Sequence, residues 1–168
     1  SGDVVTLNDC LEIYEPEILR YLFAGTRPNT EFAISFDQDV MKIYEDFDKC
    51  ERIYYGKEEA TDKEKAKQKL IYELSQVEED KEKIPEEMPL QIGFRHITTV
   101  LQIKDLDEHE TFSFFKEHVK NENDEKRIKS RIRCVKNWLK KYAEDQFKFK
   151  VKEEKDKEFF DGLDERQK

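Results

Sequence analysis

The sequence predicts a mainly α-helical chain with one small β element, in two parts joined by a charged connection. Three observations carry this. Apolar residues recur at helical spacing through most of the 168 residues. Large apolar side chains alternate with other residues in two short runs read as extended, near residues 31–36 and 147–151. Charged residues make up 42% of the chain and its mean hydropathy is −0.96, the composition of long helices with solvated faces.

In the first part, residues 1–56, Thr6, Asn8 and Asp9 offer N-cap oxygens to a short helix over Cys10 to Tyr14. Pro16 suits the first turn of a second helix, which carries Ile18, Leu19, Leu22 and Phe23 inward. Gly25 ends that helix. Thr26-Arg27-Pro28-Asn29 is a turn, because Pro28 fixes φ and Asn29 tolerates unusual backbone angles. Phe32, Ile34 and Phe36 alternate, so Glu31 to Phe36 reads as a short strand. Asp37 can cap the following helix, in which Val40, Ile43, Phe47, Cys50 and Tyr54 form an apolar stripe up to Gly56.

Residues 57–87 carry 7 basic and 11 acidic side chains, with Pro85 and Pro89 near their exit. Leu70, Tyr72 and Leu74 lie in a helix-favouring context, so part is a charged helix and the rest reads as linker. The second part, 88–168, opens near Leu90 with an apolar face of Ile92, Phe94, Ile97, Val100 and Leu101. A further helix runs from Leu106 to Val119, and the strongest helical pattern spans Asp124 to Tyr142. Phe147, Phe149 and Val151 alternate with lysines, as in a short strand or extended arm.

Composition limits the functional classes. With 12 Phe and 7 Tyr the chain is too aromatic to be disordered, and no apolar run approaches the roughly 20 residues of a membrane helix. Cys10, Cys50 and Cys134 are odd in number and far apart, which fits reduced thiols in a cytoplasmic protein. The net charge of −9 argues against indiscriminate binding to polyanions. That average hides an asymmetry. Residues 1–56 hold 5 basic and 12 acidic side chains, whereas residues 120–141 hold 9 basic and 3 acidic.

The basic segment is ordered. Ile128, Ile132, Val135, Leu139 and Tyr142 fall on one stripe, and Lys129, Arg133, Lys136 and Lys140 follow the same spacing one position on. The cations therefore form a ridge about 100° round the helix from the apolar stripe. Such a ridge can track a phosphate backbone through contacts that release counterions; it can equally be a solvated helix face. Arg127, Arg131 and Trp138 share a neighbouring stripe, and a lone Trp there reads as core more readily than as a base-stacking residue. On its turn, Arg27 can fork to a phosphate with Asn29 as second donor, or pair with Glu17 or Glu31. Arg20 faces away from Leu19, toward a partner or a surface ion pair.

No catalytic, cofactor-binding or metal-binding residue is assigned. The cysteines lack C-x-x-C spacing and His96, His109 and His118 lack H-x₃-H spacing. The 5 glycines are dispersed, so there is no phosphate loop, and no Ser or Cys has the local signature of a nucleophile.

Several runs resemble the class I lysyl-tRNA synthetases: Tyr14-Glu15-Pro16-Glu17, Arg20-Tyr21-Leu22-Phe23, Thr26-Arg27-Pro28-Asn29, and Asp48-Lys49-Cys50-Glu51-Arg52-Ile53-Tyr54. Similarity returns at Gly93-Phe94-Arg95-His96 and at Asn137-Trp138-Leu139-Lys140-Lys141-Tyr142-Ala143. Gly2-Asp3-Val4-Val5 is similar to the tail of the family's catalytic signature loop, which makes the chain look like an internal fragment beginning just after that loop.

The resemblance implies an α+β stem-contact fold for residues 1–56, a variable connection over 57–87, and the start of the helical anticodon-binding region from about residue 88. It implies a parent reaction in which lysine is activated with ATP and Mg and transferred to tRNA-Lys. The fragment itself would be inactive and hold no cofactor. Its partners would be tRNA-Lys and the catalytic and C-terminal domains of the same chain, with no membrane. The tRNA contacts expected are Arg27, Asn29, Arg95, Lys129, Arg133, Lys136 and Lys140. The alternative is a helical interaction scaffold whose charges only solubilise it.

Overall fold

The computed structural model describes residues 7–25, 39–76 and 84–141. Helix α1 (Leu7–Ile13) turns a corner at Tyr14 and Glu15 into α2 (Pro16–Gly25). Pro16 has no N–H to leave unpaired at a first helical position. The carbonyl of Glu15 accepts from the amides of Ile18 and Leu19, which starts α2 at once. Helix α3 (Asp39–Tyr54) is the longest of the first four, and α4 (Asp62–Ser75) follows the Gly56 turn, where φ is +71°. Thr61 caps α4 by accepting from the amide of Glu64 at 3.2 Å, with Asp62 and Glu64 in the first turn.

In the second half, α5 (Phe94–Ile103) and α6 (Glu108–Phe115) lead through a 3-10 turn at Lys116–His118 to α7 (Glu122–Lys141). Asp107 caps α6 at 2.8 Å from the amide of Glu110. Asn121 caps α7, while Asp124 reaches back to the amide of Lys120 at 3.1 Å.

Helices α2, α3 and α4 pack on one another, as do α5, α6 and α7. The groups are joined where α1 lies on α7 and α3 on α5. One apolar cluster draws on all seven helices. Its spine is aromatic: Tyr44 of α3 meets Phe94 of α5 at 4.8 Å between ring centroids, and Phe94 meets the edge of Trp138 of α7 at 5.2 Å. Trp138 is fully buried, in agreement with its reading as core. Helix α4 enters the same cluster through Tyr72, whose ring lies 4.5 Å from that of Tyr54.

The expectation of an α+β unit over residues 1–56 is corrected. Among the described residues every regular element is a helix, with no strand or sheet. The physical reason is that α4 does the covering that a sheet would do, lying against both α2 and α3 and burying Tyr72 between them. The alternating run Glu31 to Phe36, Asp37, and the alternating run 147–151 lie outside the described residues.

A strap, residues 84–93, runs between the two groups. Tyr55 donates to the carbonyl of Pro85 at 2.7 Å, Gln91 donates to the carbonyl of Asp48 at 2.9 Å, and the amide of Leu90 donates to Asp124 at 2.8 Å.

Candidate nucleic-acid interface

Helix α7 carries cations on two faces, with opposite fates. Its inner face buries Ile128, Ile132, Cys134, Val135, Trp138 and Leu139, and also Arg127 and Arg131. A guanidinium enters a core only with partners for its donors. Arg131 places Nη1 and Nη2 at 2.8 and 2.9 Å from the two carboxylate oxygens of Asp48. Its Nε donates to Glu15 at 3.1 Å, and Nη1 also donates to the carbonyl of Ile92 at 3.0 Å. One turn back, Arg127 forks onto Glu51 with both bonds at 2.9 Å. Glu51 further accepts from Tyr72 at 2.8 Å and from Gln91 at 3.0 Å. The rings of Tyr44 and Phe47 lie 5.2 and 5.7 Å from the guanidinium carbons of Arg131 and Arg127.

Three buried carboxylates thus share two guanidinia. Burial pushes Glu51 upward, but the hydrogen bonds and charge of Arg127, with Gln91 and Tyr72, hold it below its ordinary value. Glu15 goes the other way. Burial raises its carboxyl, and the opposing pull of Arg131 and Arg127 does not restore it. Both forks are taken by Asp48 and Glu51, leaving Glu15 the single Nε bond of Arg131 and a 3.9 Å approach to Arg127.

The outer face of α7 is the ridge. Lys129, Arg133 and Lys140 are exposed and Lys136 is half-buried, in one line with exposed Lys126, which the sequence reading omitted. From Lys126 to Lys140 the line is about 21 Å long at 1.5 Å per residue. Lys129 pairs with Glu125 at 2.7 Å and lies 4.9 Å from the centre of the Phe112 ring. Lys126 approaches Glu122 at 4.0 Å. Arg133, Lys136 and Lys140 have no acidic partner among the described residues. Acidic residues fill the first turn of α7 and lysines the last, which complements the helix dipole and leaves the later turns strongly positive.

Of the other expected contacts, Arg95 is among the described residues. Arg95 stands on α5, not on the helix of the ridge, in an exposed pair with Glu45 at 3.0 Å. Arg27 and Asn29 lie outside the described residues. Arg20 donates from Nε to the carbonyl of Ser75 at 2.9 Å, at the end of α4. The cysteines are buried thiols; burial pushes Cys50 and Cys134 up to about 12 and raises Cys10, so none is a thiolate near neutral pH. No helix among the described residues is long and apolar enough to cross a membrane.

The unforeseen feature is the buried pair of arginines. A signal existed: Arg rather than Lys at 127 and 131, spaced i, i+4 beside an apolar stripe, and two acids, Asp48 and Glu51, spaced i, i+3 beside another.

Comparison with known proteins places this helical body in a class. Residues 1–78, which contain α1 to α4, match the family model described as tRNA synthetases class I (K). A lysine–tRNA ligase of Borrelia garinii subsp. bavariensis is 49% identical over 148 residues, covering 88% of this chain and 27% of the relative. One from Treponema pallidum is 46% identical over 156 residues, covering 92% and 28%. One from the archaeon Thermococcus kodakarensis is 39% identical over 159 residues, covering 91% and 29%. About nine-tenths of the chain is similar to a segment of class I lysine–tRNA ligases. It spans a little over a quarter of the length of the curated relatives it matches.

Proposed function

We propose that these helices dock tRNA-Lys for a class I lysine–tRNA ligase, with the outer ridge of α7 as the phosphate-contacting surface. The observation that carries this reading is the division of labour on α7. Arg127 and Arg131 hold the helix rigidly from within, while Arg133, Lys136 and Lys140 point outward without acidic partners among the described residues. A rigid row of cations on an otherwise acidic body suits a polyanion that must be held in one place. Contacts of this kind position RNA without reading its sequence. Arg95, together with Arg27 and Asn29, would add further contacts. Activation of lysine, with ATP and Mg, is assigned to other parts of the cytoplasmic enzyme.

The test is fluorescence anisotropy of labelled tRNA-Lys against this chain across a salt series. Binding through the ridge should weaken by about 0.7–0.9 log units per phosphate contact for each decade of salt. A salt-independent affinity, or no binding at low salt, would sink the docking role.

A further inference from the structure

A groove runs between α6 and α7 beside the ridge, with Glu108, His109 and Phe112 on one wall and Lys129, Ile132 and Arg133 on the other. Both walls are helices within the described residues. His109 and Phe112 stand one turn apart on α6, and Lys129, Ile132 and Arg133 share one side of α7, as helical spacing requires. The groove encloses about 330 Å³. That is the small end of ligand clefts and suits one planar ring system better than an extended ligand. Its apolar residues are Ile132, which is buried, and Phe112, which is half-buried and packs against the core. One face of the Phe112 ring stays open to polar atoms, because the ammonium of Lys129 lies over it, 4.9 Å from its centre. Lys129 and Arg133 belong to the ridge as well as to the groove.

We propose that this groove receives one unpaired base of the docked RNA, stacked on Phe112, while the phosphate beside it stays on the ridge at Arg133. The proposal rests on the ridge being the RNA-docking surface. An aromatic face set against a row of cations is the combination that holds unpaired nucleotides. The base takes the place of the Lys129 ammonium over the ring. Lys129 is held only by an exposed pair with Glu125, a weak restraint, so it can turn outward to the phosphate. Glu108 on the facing wall repels an anion, so the base enters and the backbone stays outside. Charge favours a nucleotide over an apolar side chain of another protein, because Arg133 stands exposed on the rim with no acidic partner among the described residues.

Stacking and phosphate contacts respond differently to salt, which supplies the test. Phe112→Leu keeps an apolar side chain in place but removes the ring. It should weaken binding of labelled tRNA-Lys about fivefold or more and leave the salt slope unchanged. Phe112→Tyr keeps the ring and should bind as the parent does. A fully paired RNA duplex offers no free base, so the parent and Phe112→Leu should bind it alike. The groove is overturned if Phe112→Leu binds tRNA-Lys as tightly as the parent. It is overturned too if Phe112→Leu loses as much affinity for the duplex, the mark of a packing defect. In either case the docking surface stands if Lys136→Gln with Lys140→Gln still weakens tRNA-Lys binding. If that ridge pair is without effect, the docking surface fails and the groove falls with it.

Discussion

Arg131 and Asp48, 83 residues apart, meet in a two-bond fork at 2.8 and 2.9 Å with the guanidinium wholly removed from solvent. The remaining donors of the same side chain reach Glu15 at the α1–α2 corner and the carbonyl of Ile92 in the strap. One residue of α7 thereby fixes three other parts of the chain, and only the planar, five-donor guanidinium can do so.

Removing that residue leaves Asp48 and Glu15 buried without their main partner. Arg131→Met should cost about 3–5 kcal/mol, the range for breaking a buried ion pair from one side. Arg131→Lys keeps the charge but cannot fork, so it too should lose stability. Urea unfolding followed by circular dichroism measures both. A loss below about 1 kcal/mol for the Met variant would mean that water reaches the cluster.

Glu15 makes a prediction of opposite sign to the usual carboxylate. Its folded-state pKa is raised, so the folded chain holds the Glu15 proton more tightly than the unfolded chain. Its stabilising contribution is complete below the ordinary carboxylate range and is lost as pH rises through the raised value. Glu15→Gln, a permanently neutral mimic, should be insensitive to this step. The stability of Glu15→Gln relative to the parent should increase with pH over that interval, by at most about 1.4 kcal/mol per pH unit. Glu51, held low by Arg127, contributes with the opposite sign, losing its stabilisation as pH falls through its depressed value, and is common to both proteins. A constant difference between the two proteins at every pH would show that Glu15 titrates alike in the folded and unfolded chain.

Much of this body was legible in the sequence. Pro16 and Gly25 bounded α2 correctly because each acts through its own backbone chemistry, and the spacing of Ile128, Ile132, Val135 and Leu139 drew the inner face of α7. The buried arginines were harder to see. Periodicity sorts residues by polarity, and Arg127, Arg131, Asp48 and Glu51 are polar groups that enter the core only as mutual partners, a long-range fact no local window contains. The place of α4 was obscured for a related reason. Its lysines and glutamates outnumber its apolar residues, so its membership of the core rests on Tyr72 and on partial burial of its neighbours.

The turn after α5 carries backbone strain that can be relieved. Asp105 and Leu106 have φ of +54° and +64°, a region that costs residues with a Cβ about 1–2 kcal/mol each. Leu106 packs against the core and donates its amide to Leu101 at 2.7 Å, so it cannot be changed freely. Asp105 is exposed. Asp105→Gly should therefore stabilise the chain by about 0.5–1 kcal/mol and Asp105→Ala should destabilise it, both read from thermal unfolding. Destabilisation by glycine would mean that the Asp105 side chain makes a local bond stronger than the strain.

The ridge is where structure and function separate most cleanly. Arg133 is exposed and Lys136 half-buried on the outer line of α7, and neither takes part in the buried cluster that holds the helix in place. Reversing both charges should therefore leave far-UV circular dichroism and thermal stability close to those of the parent. Two lost phosphate contacts and two new repulsions should weaken tRNA-Lys binding about tenfold or more at low salt, with the gap closing as salt rises. The salt response matters more than the loss, because a packing defect would weaken binding equally at every ionic strength. Unchanged affinity for Arg133→Glu with Lys136→Glu would reduce the ridge to a solvated helix face.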